Sequence, residues 1–437
     1  MENNIYKEKS INKLILTFSL PAILSLIVEI LTSVVDTAFA GHLGSYSSNA
    51  LTAMGLISPI LGIYTAFQAL YAVSTSILIA RHFNNRKVRD SYFSTGFIFS
   101  LLVSGTVSLI SLFTMEILLQ FLGAGGDVLK LAKDYLEIQL ISNVFSAVGY
   151  TLTSCIRAFG YPKVEAIITT LAVVVNILFN IIFVFIFHLG LSGLSWGTFV
   201  SELFCAIAAF LWLKKKELLP KQYPTSCKEI FRGAKVLFQL GVAQTLIQML
   251  AGCTGFFINH NLLIHTTVNH VAAWNVVQKL YTLMLMPIVG ITQGVQTMIA
   301  YYSGQNKEKE KQQTVKRTLL YTILYGVLGM IIIFFLGNNI LLIFGVTGII
   351  YSISNKALNI IFITFPIVGV FYTVMTLLEV TGHEIKAVLL GLVRQVFIII
   401  PLVYLLPILI PNSMLSAFLA VPMADIITLF LSITFLK

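Results

Sequence analysis

Residues 14–39 read LILTFSLPAILSLIVEILTSVVDTAF. An apolar run of this length crosses ~30 Å of hydrocarbon, which takes ~20 residues as a helix. Lys7, Lys9 and Lys13 stand just before it, and two acids, Glu29 and Asp36, lie inside it. In lipid every backbone N–H and C=O must find a partner within the protein, so a single run of this kind is helical.

The rest of the chain repeats that pattern. Of 437 residues 57% are hydrophobic and 11% charged, against roughly 25% charged in an average soluble domain. Further apolar runs occupy 54–80, 92–118, 135–156, 164–187, 194–213, 236–263, 271–300, 319–344, 357–380, 387–410 and 415–436. No alternating ten-residue pattern points to a barrel. The expected fold is therefore an all-α integral membrane protein of twelve transmembrane helices.

Lys and Arg test that map. They gather before the first span and after the second, fourth, sixth, eighth and tenth, and Lys437 ends the chain. Arg394 is assigned to the same side by snorkelling from the start of span eleven. The opposite side holds Lys130, Lys133 and Lys356, and Lys279 lies deep in span eight. The positive-inside rule then places both termini in the cytoplasm and the protein in the cell membrane. An odd number of spans would scramble this split.

The net charge of +10 follows from those loops. It asks for anionic lipid headgroups and not for nucleic acid, because the bases are spread over short loops. The N-terminal run is too long for a signal-peptide h-region, and losing it would spoil the charge alternation. Cys155, Cys205, Cys227 and Cys253 form no CxxC and read as small packing residues. His260, His265 and His270 are spaced by five, which puts no two on one helical face. No metal site and no cofactor are expected, and a monomer is.

The chain is also a repeat. Gly160 and Gly382 are 222 residues apart, and the same offset matches Asn84 with Asn306, Lys87 with Lys309, Arg89 with Lys311, Val73 with Val295 and Thr75 with Thr297. Residues 1–213 and 236–437 are then two six-helix bundles, joined by the basic linker 214–235. Six is even, so both halves share one orientation. A pseudo-two-fold axis along the membrane normal relates them, with a substrate cavity between.

A charge at the bilayer centre costs at least ~2.5 kcal/mol, so acids inside spans are candidate working parts. Glu116, Glu137, Glu202, Glu379 and Asp425 lie near span ends, where an interfacial partner suffices. Glu29 is nearer mid-span, seven residues before Asp36 and on roughly the same face. Asp36 can bind a hard cation or titrate a proton, given oxygen partners. Asn176 and Asn180 offer two amides on one face of span five, and Thr198 a hydroxyl in span six beside Gly197. The alternative is that the asparagines are interhelical glue. Pro21, Pro59, Pro287 and Pro366 lie within spans and are candidate hinges or fixed kinks.

At this point the chain resembles the multidrug and toxic compound extrusion (MATE) family of cation-coupled exporters. The resemblance rests on Ser19-Leu20-Pro21, the VDTAFAGHLG stretch holding Asp36, Ala50-Leu51, and Arg157-Ala158-Phe159-Gly160-Tyr161-Pro162-Lys163. It rests also on the Asn176/Asn180 pair and Gly304-Gln305-Asn306. It implies a first-half cation site of Asp36, Asn176, Asn180 and Thr198. Many members have Asp where this chain has Asn180, which leaves one negative charge fewer for sodium. Apolar residues, Phe257 or Ile258, stand where the repeat would place a second Asp36. Span ten has Tyr372 and Thr376 but no mid-span acid, so coupling is expected in the first half. Glu29, Lys279, Tyr372 and Thr376 are the candidate substrate-cavity residues.

The expected function is a secondary antiporter that exports lipophilic, cationic drugs or metabolites in exchange for H+ or Na+. A dedicated exporter of one self-made metabolite and a lipid-linked precursor flippase are the alternatives. The lack of basic residues deep in the spans, Lys279 apart, counts against the flippase. No metalloprotease motif and no nucleophile elbow point to an enzyme.

Overall fold

The structure is a computed structural model and describes residues 10–43, 47–221, 227–265, 268–343, 348–410 and 416–436. Lys7, Lys9, Lys437 and Pro224 lie outside the described residues, as do the side chains of Cys227, Cys253, His260 and His265. Among the described residues there is helix and no strand.

The first half is α1 (Ile11–Gly41), α2 (Ser47–Arg81), α3 (Arg86–Phe121), α4 (Gly126–Ala158), α5 (Pro162–Ile181) and α6 (Leu191–Lys215). The second half is α7 (Cys227–His265), α8 (Val268–Gly304), α9 (Glu308–Ile343), α10 (Gly348–Phe362), α11 (Phe365–Val380), α12 (Glu384–Leu392), α13 (Ile400–Leu409) and α14 (Ala420–Leu436). Helices α10 and α11 are the tenth span, broken by a bend of 52°. Helices α12 and α13, joined by a π-helical stretch Val393–Ile399, are the eleventh. The helices thus follow the twelve spans, most of them overrunning the apolar runs. Polar residues such as Arg86 or Glu308 continue a helix past the hydrocarbon at no cost, since water or headgroups receive them.

By length and hydropathy nine of the described helices can cross a membrane, and the bent pair is a tenth. Helix α4 falls short because much of its buried face is polar, with Gln139, Ser142, Asn143 and Thr151. It can be, because it packs on α2, α3, α5 and α6 and meets protein where other helices meet lipid.

The repeat is visible in backbone and packing. Gly160 and Gly382 both end their helices at positive φ, 90° and 87°, which glycine adopts without strain. Between the halves, α1 packs on α8 and α2 on α7. A two-fold that exchanges α1 with α7 and α2 with α8 exchanges these two contacts.

The core shows where the halves meet. One apolar cluster joins both of them near the basic end, from Leu14 and Phe18 to Val295 and Tyr301. Glycines let the backbones touch there: a Cβ on Gly241 would sit 1.9 Å from the Leu70 carbonyl, and one on Gly294 2.7 Å from that of Phe18. Toward the other end each half keeps a core of its own, around Ile57 and Leu136 in the first and around Leu280 and Phe362 in the second. The bundles are fused at the basic end and part away from it.

Candidate functional site

Three helices of the first half bring four of the expected residues together. Asn180 Nδ2 donates to Asp36 Oδ1 at 2.6 Å and to Asn176 Oδ1 at 2.9 Å. Asn176 Nδ2 donates to Thr198 Oγ1 at 3.3 Å, and that hydroxyl donates to the Leu194 carbonyl at 3.0 Å. A single chain therefore runs from α1 through α5 to α6. Asn176 and Asn180 are buried, and Asp36 is half-buried.

The backbone explains why these groups meet. A Cβ on Gly197 would lie 1.9 Å from Asn180 Oδ1, and one on Gly193 would lie 3.0 Å from the Phe183 backbone. The two glycines, four apart, form the small-xxx-small stripe that lets α6 close on α5. Directly after Asn180 the helix turns π over Ile182–Ile186. Such turns cluster at functional sites.

The donor count sets the chemistry. Asn180 spends both its N–H groups, and its Oδ1 is buried without a partner. The amide oxygen packs against Gly197 with no donor, and the Asp36 carboxylate accepts from Asn180. Such a spot calls for a positive charge: a proton on the carboxylate, or a hard cation held by oxygens. Tyr135 completes the wall from α4. Its carbonyl accepts from Ser195 at 3.0 Å and its hydroxyl accepts from Gln139 at 3.1 Å. Sequence reading missed Tyr135 and Gly193, whose only signal was spacing: Gly193 lies four before Gly197, and Tyr135 opens a span.

The candidate cavity residues divide. Tyr372 and Thr376 line one small cavity with Glu379 and Gln296, between α2, α8 and α11. Glu29 and Lys279 do not line it, and both are exposed. No carboxylate among the described residues lies within ion-pair distance of Lys279. Of the four prolines, Pro366 marks a break, at the first turn of α11 after the bend. Helices α1, α2 and α8 run on through Pro21, Pro59 and Pro287.

Three expectations for the second half are corrected. Arg394 does not snorkel, and Asp425 does not depend on the interface. Both are buried, and Arg394 donates through Nε and one terminal nitrogen to Asp425 Oδ1 at 3.0 and 2.7 Å. Thr364, at the break in span ten, donates to the other oxygen at 2.8 Å, and the guanidinium lies 5.1 Å from the centre of the Phe371 ring. Charge and hydrogen bonds are both satisfied, so this pair braces the second bundle. Glu379 is likewise buried and not interfacial. Glu116 does meet a partner near its span end, Lys133 at 2.8 Å. Among the described residues no group of three or more His, Cys, Asp or Glu is placed to hold a metal ion.

Comparison with known proteins places this arrangement. The MatE family model matches twice, over residues 21–182 and 245–405, once in each half. The multidrug export protein MepA of Staphylococcus haemolyticus is 25% identical over 404 residues, covering 92% of this chain and 88% of its own. MepA of Staphylococcus aureus strain MRSA252 is 25% identical over 408 residues, covering 93% and 89%. Among solved structures, the Vibrio cholerae MATE transporter VcmN in its bent form superposes with a TM-score of 0.90 at 19% identity, covering 98% of this chain and 96% of that one. A MOP-superfamily transporter of Pyrococcus furiosus, whose binding pocket of reverse polarity suggests a different function, superposes at 0.91 with 18% identity, covering 99% and 96%. On the doubled family match, in register with a two-bundle fold, the chain belongs to the MatE family of multi-pass membrane transporters.

Proposed function

We propose that the protein is a secondary active antiporter that exports lipophilic, cationic small molecules from the cytoplasm in exchange for H+ or Na+. The observation that carries this reading is the Asp36–Asn180 contact with its unpartnered amide oxygen. Both termini and the basic end are assigned to the cytoplasm by the positive-inside rule. The bundles then touch at the cytoplasmic end and part toward the outside, so Asp36, in the outward half of α1, is placed to take its ion from outside.

Export of several drugs is what MepA's name states, and its match over most of both chains supports the same activity here. The reverse polarity of the P. furiosus transporter's binding pocket suggests a different function for that protein, so here the substrate class is argued from charge. The spans present acids and, among the described residues, two deep basic side chains, Lys279 and Arg394. Arg394 is consumed by Asp425. A lipid-linked phosphate would have little to bind, whereas a cation would.

The test is efflux of ethidium from energised cells carrying equal amounts of wild type or Asp36→Asn protein. Efflux should be lost in the variant while the protein stays folded in the membrane. Undiminished efflux from Asp36→Asn would refute the reading. Should wild type move no dye, turnover of lipid-linked precursors and of the cell's own cationic metabolites comes next.

A further inference from the structure

Four acids are deeply buried among the described residues: Asp90, Glu165, Glu379 and Asp425. Three have arginine partners. Asp90 meets Arg89 at 3.3 Å, Glu165 meets Arg157 at 3.4 Å and Asp425 meets Arg394 at 2.7 Å. Glu379, 2% exposed, has none. Its Oε2 accepts from Gln296 Nε2 at 3.1 Å, and its Oε1 is buried with no partner. The internal repeat sharpens the contrast. Glu379 stands 222 residues after Arg157, so one half has a base where the other has an acid.

The carboxyl lines a narrow, partly open cavity of about 30 Å³, with Thr292, Gln293 and Gln296 of α8, Tyr372 and Thr376 of α11, and Val73 of α2. That volume holds about one water-sized guest and is far below the ~300 Å³ of a drug-sized pocket. The polar groups offered are a carboxylate, two amides, two threonine hydroxyls and a phenol, the donor set of a hard monovalent cation. A buried carboxylate with no ion-pair partner is costly to keep ionised, so its unpartnered oxygen calls for a positive charge.

We propose that Glu379, with Gln296, Thr292 and Thr376, is a second site for one small monovalent cation, a proton or Na+, filled while the bundles are shut at their basic end. The place of the cavity ties occupancy to that closure. Val73 is its one wall from the first half. Just beyond it Arg81 donates to the Val380 carbonyl, Asn84 donates to Gln305, and Gly304 lies against the Arg81 backbone. Parting these contacts pulls α2 away and opens the cavity fully to water, where the carboxylate can stand without its cation. The other titratable groups near it are Glu384 from the start of α12, which Arg81 of α2 itself faces, and Tyr372 on its own helix. Helix α8 contributes only amides and hydroxyls. The transporter reading supplies the role of this ion, but its presence can be tested without transport.

The test is infrared difference spectroscopy of the whole protein in lipid nanodiscs, comparing wild type, Glu379→Gln and Asp36→Asn across pH and with Na+ exchanged for K+. A carboxylic acid C=O band that titrates with pH and ignores Na+, lost in Glu379→Gln and kept in Asp36→Asn, marks a proton site. A carboxylate band that responds to Na+ and not K+, with the same pattern of loss, marks a sodium site. Spectra of Glu379→Gln that superimpose on wild type under every condition overturn the proposal. Should Glu379→Gln fail to fold, Thr376→Val must shift the same band, and an unmoved band overturns it equally. Since no substrate is involved, these outcomes stand even if Asp36→Asn leaves dye efflux intact.

Discussion

The cation role proposed for Asp36 rests on its neighbours. On that proposal Asn180 decides which ion suits the site, because an amide there leaves Asp36 as the single carboxylate of the chain of contacts. Asn180→Asp adds a second negative charge beside it. Efflux by that variant should become more dependent on external Na+, read as dye efflux at fixed pH with Na+ replaced by choline. Gly197 is as exposed to test. A methyl there meets Asn180 Oδ1 at 1.9 Å, and overpacking of this kind costs about 1–3 kcal/mol. Gly197→Ala should therefore lower the melting temperature and weaken ion coupling together. Asp36, Asn176, Asn180 and Thr198 were all legible in the sequence, because a polar side chain in an apolar span is conspicuous. Glu379 and Asp425 were seen but misplaced. Distance from a span end does not say which way a side chain points, and both point inward.

At the scale of the element, the spans were legible because hydrocarbon thickness dictates their length. Their irregularities were less so. Pro366 marked the broken tenth span, since the residues before a proline resist the helix. The π-helical stretches at Ile182–Ile186 and Val393–Ile399 have no proline or glycine within them to announce them. The second of these holds Arg394, and its wider turn carries the guanidinium to α14 while Gln395 accepts from Thr254 of α7 at 3.0 Å. Pairing across three spans cannot be read from spacing along one. Removing one partner of a buried pair strands the other, at roughly 3–5 kcal/mol. Arg394→Ala should thus cut thermal stability sharply, and Arg394→Lys should restore only part of it, because an ammonium cannot reproduce the fork. A melting temperature unchanged in Arg394→Ala would remove the pair's bracing role.

For the whole molecule, two bundles share a core at one end and keep separate cores at the other. Rocking about that arrangement must break the basic-end contacts, of which Asn84 with Gln305 is the most accessible. Asn84→Cys with Gln305→Cys, on a background lacking the native cysteines, should form a disulfide that stops transport and releases it on reduction. Transport that continues through the cross-link would mean that this end stays shut throughout the cycle. The repeat and the two-bundle plan were readable from the 222-residue offset. The fused end was not, because it depends on glycines that matter only once two particular helices are known to face each other.

The antiporter reading stands or falls on ion movement. Purified wild type and Asp36→Asn protein in proteoliposomes, given ethidium and an imposed proton or sodium gradient, report it directly. Dye movement driven by one of the two gradients in wild type, with matching counterflow of that ion and loss of both in Asp36→Asn, is the expected result. Equal gradient-driven movement in both proteins, or none in wild type with any cationic dye, would contradict it.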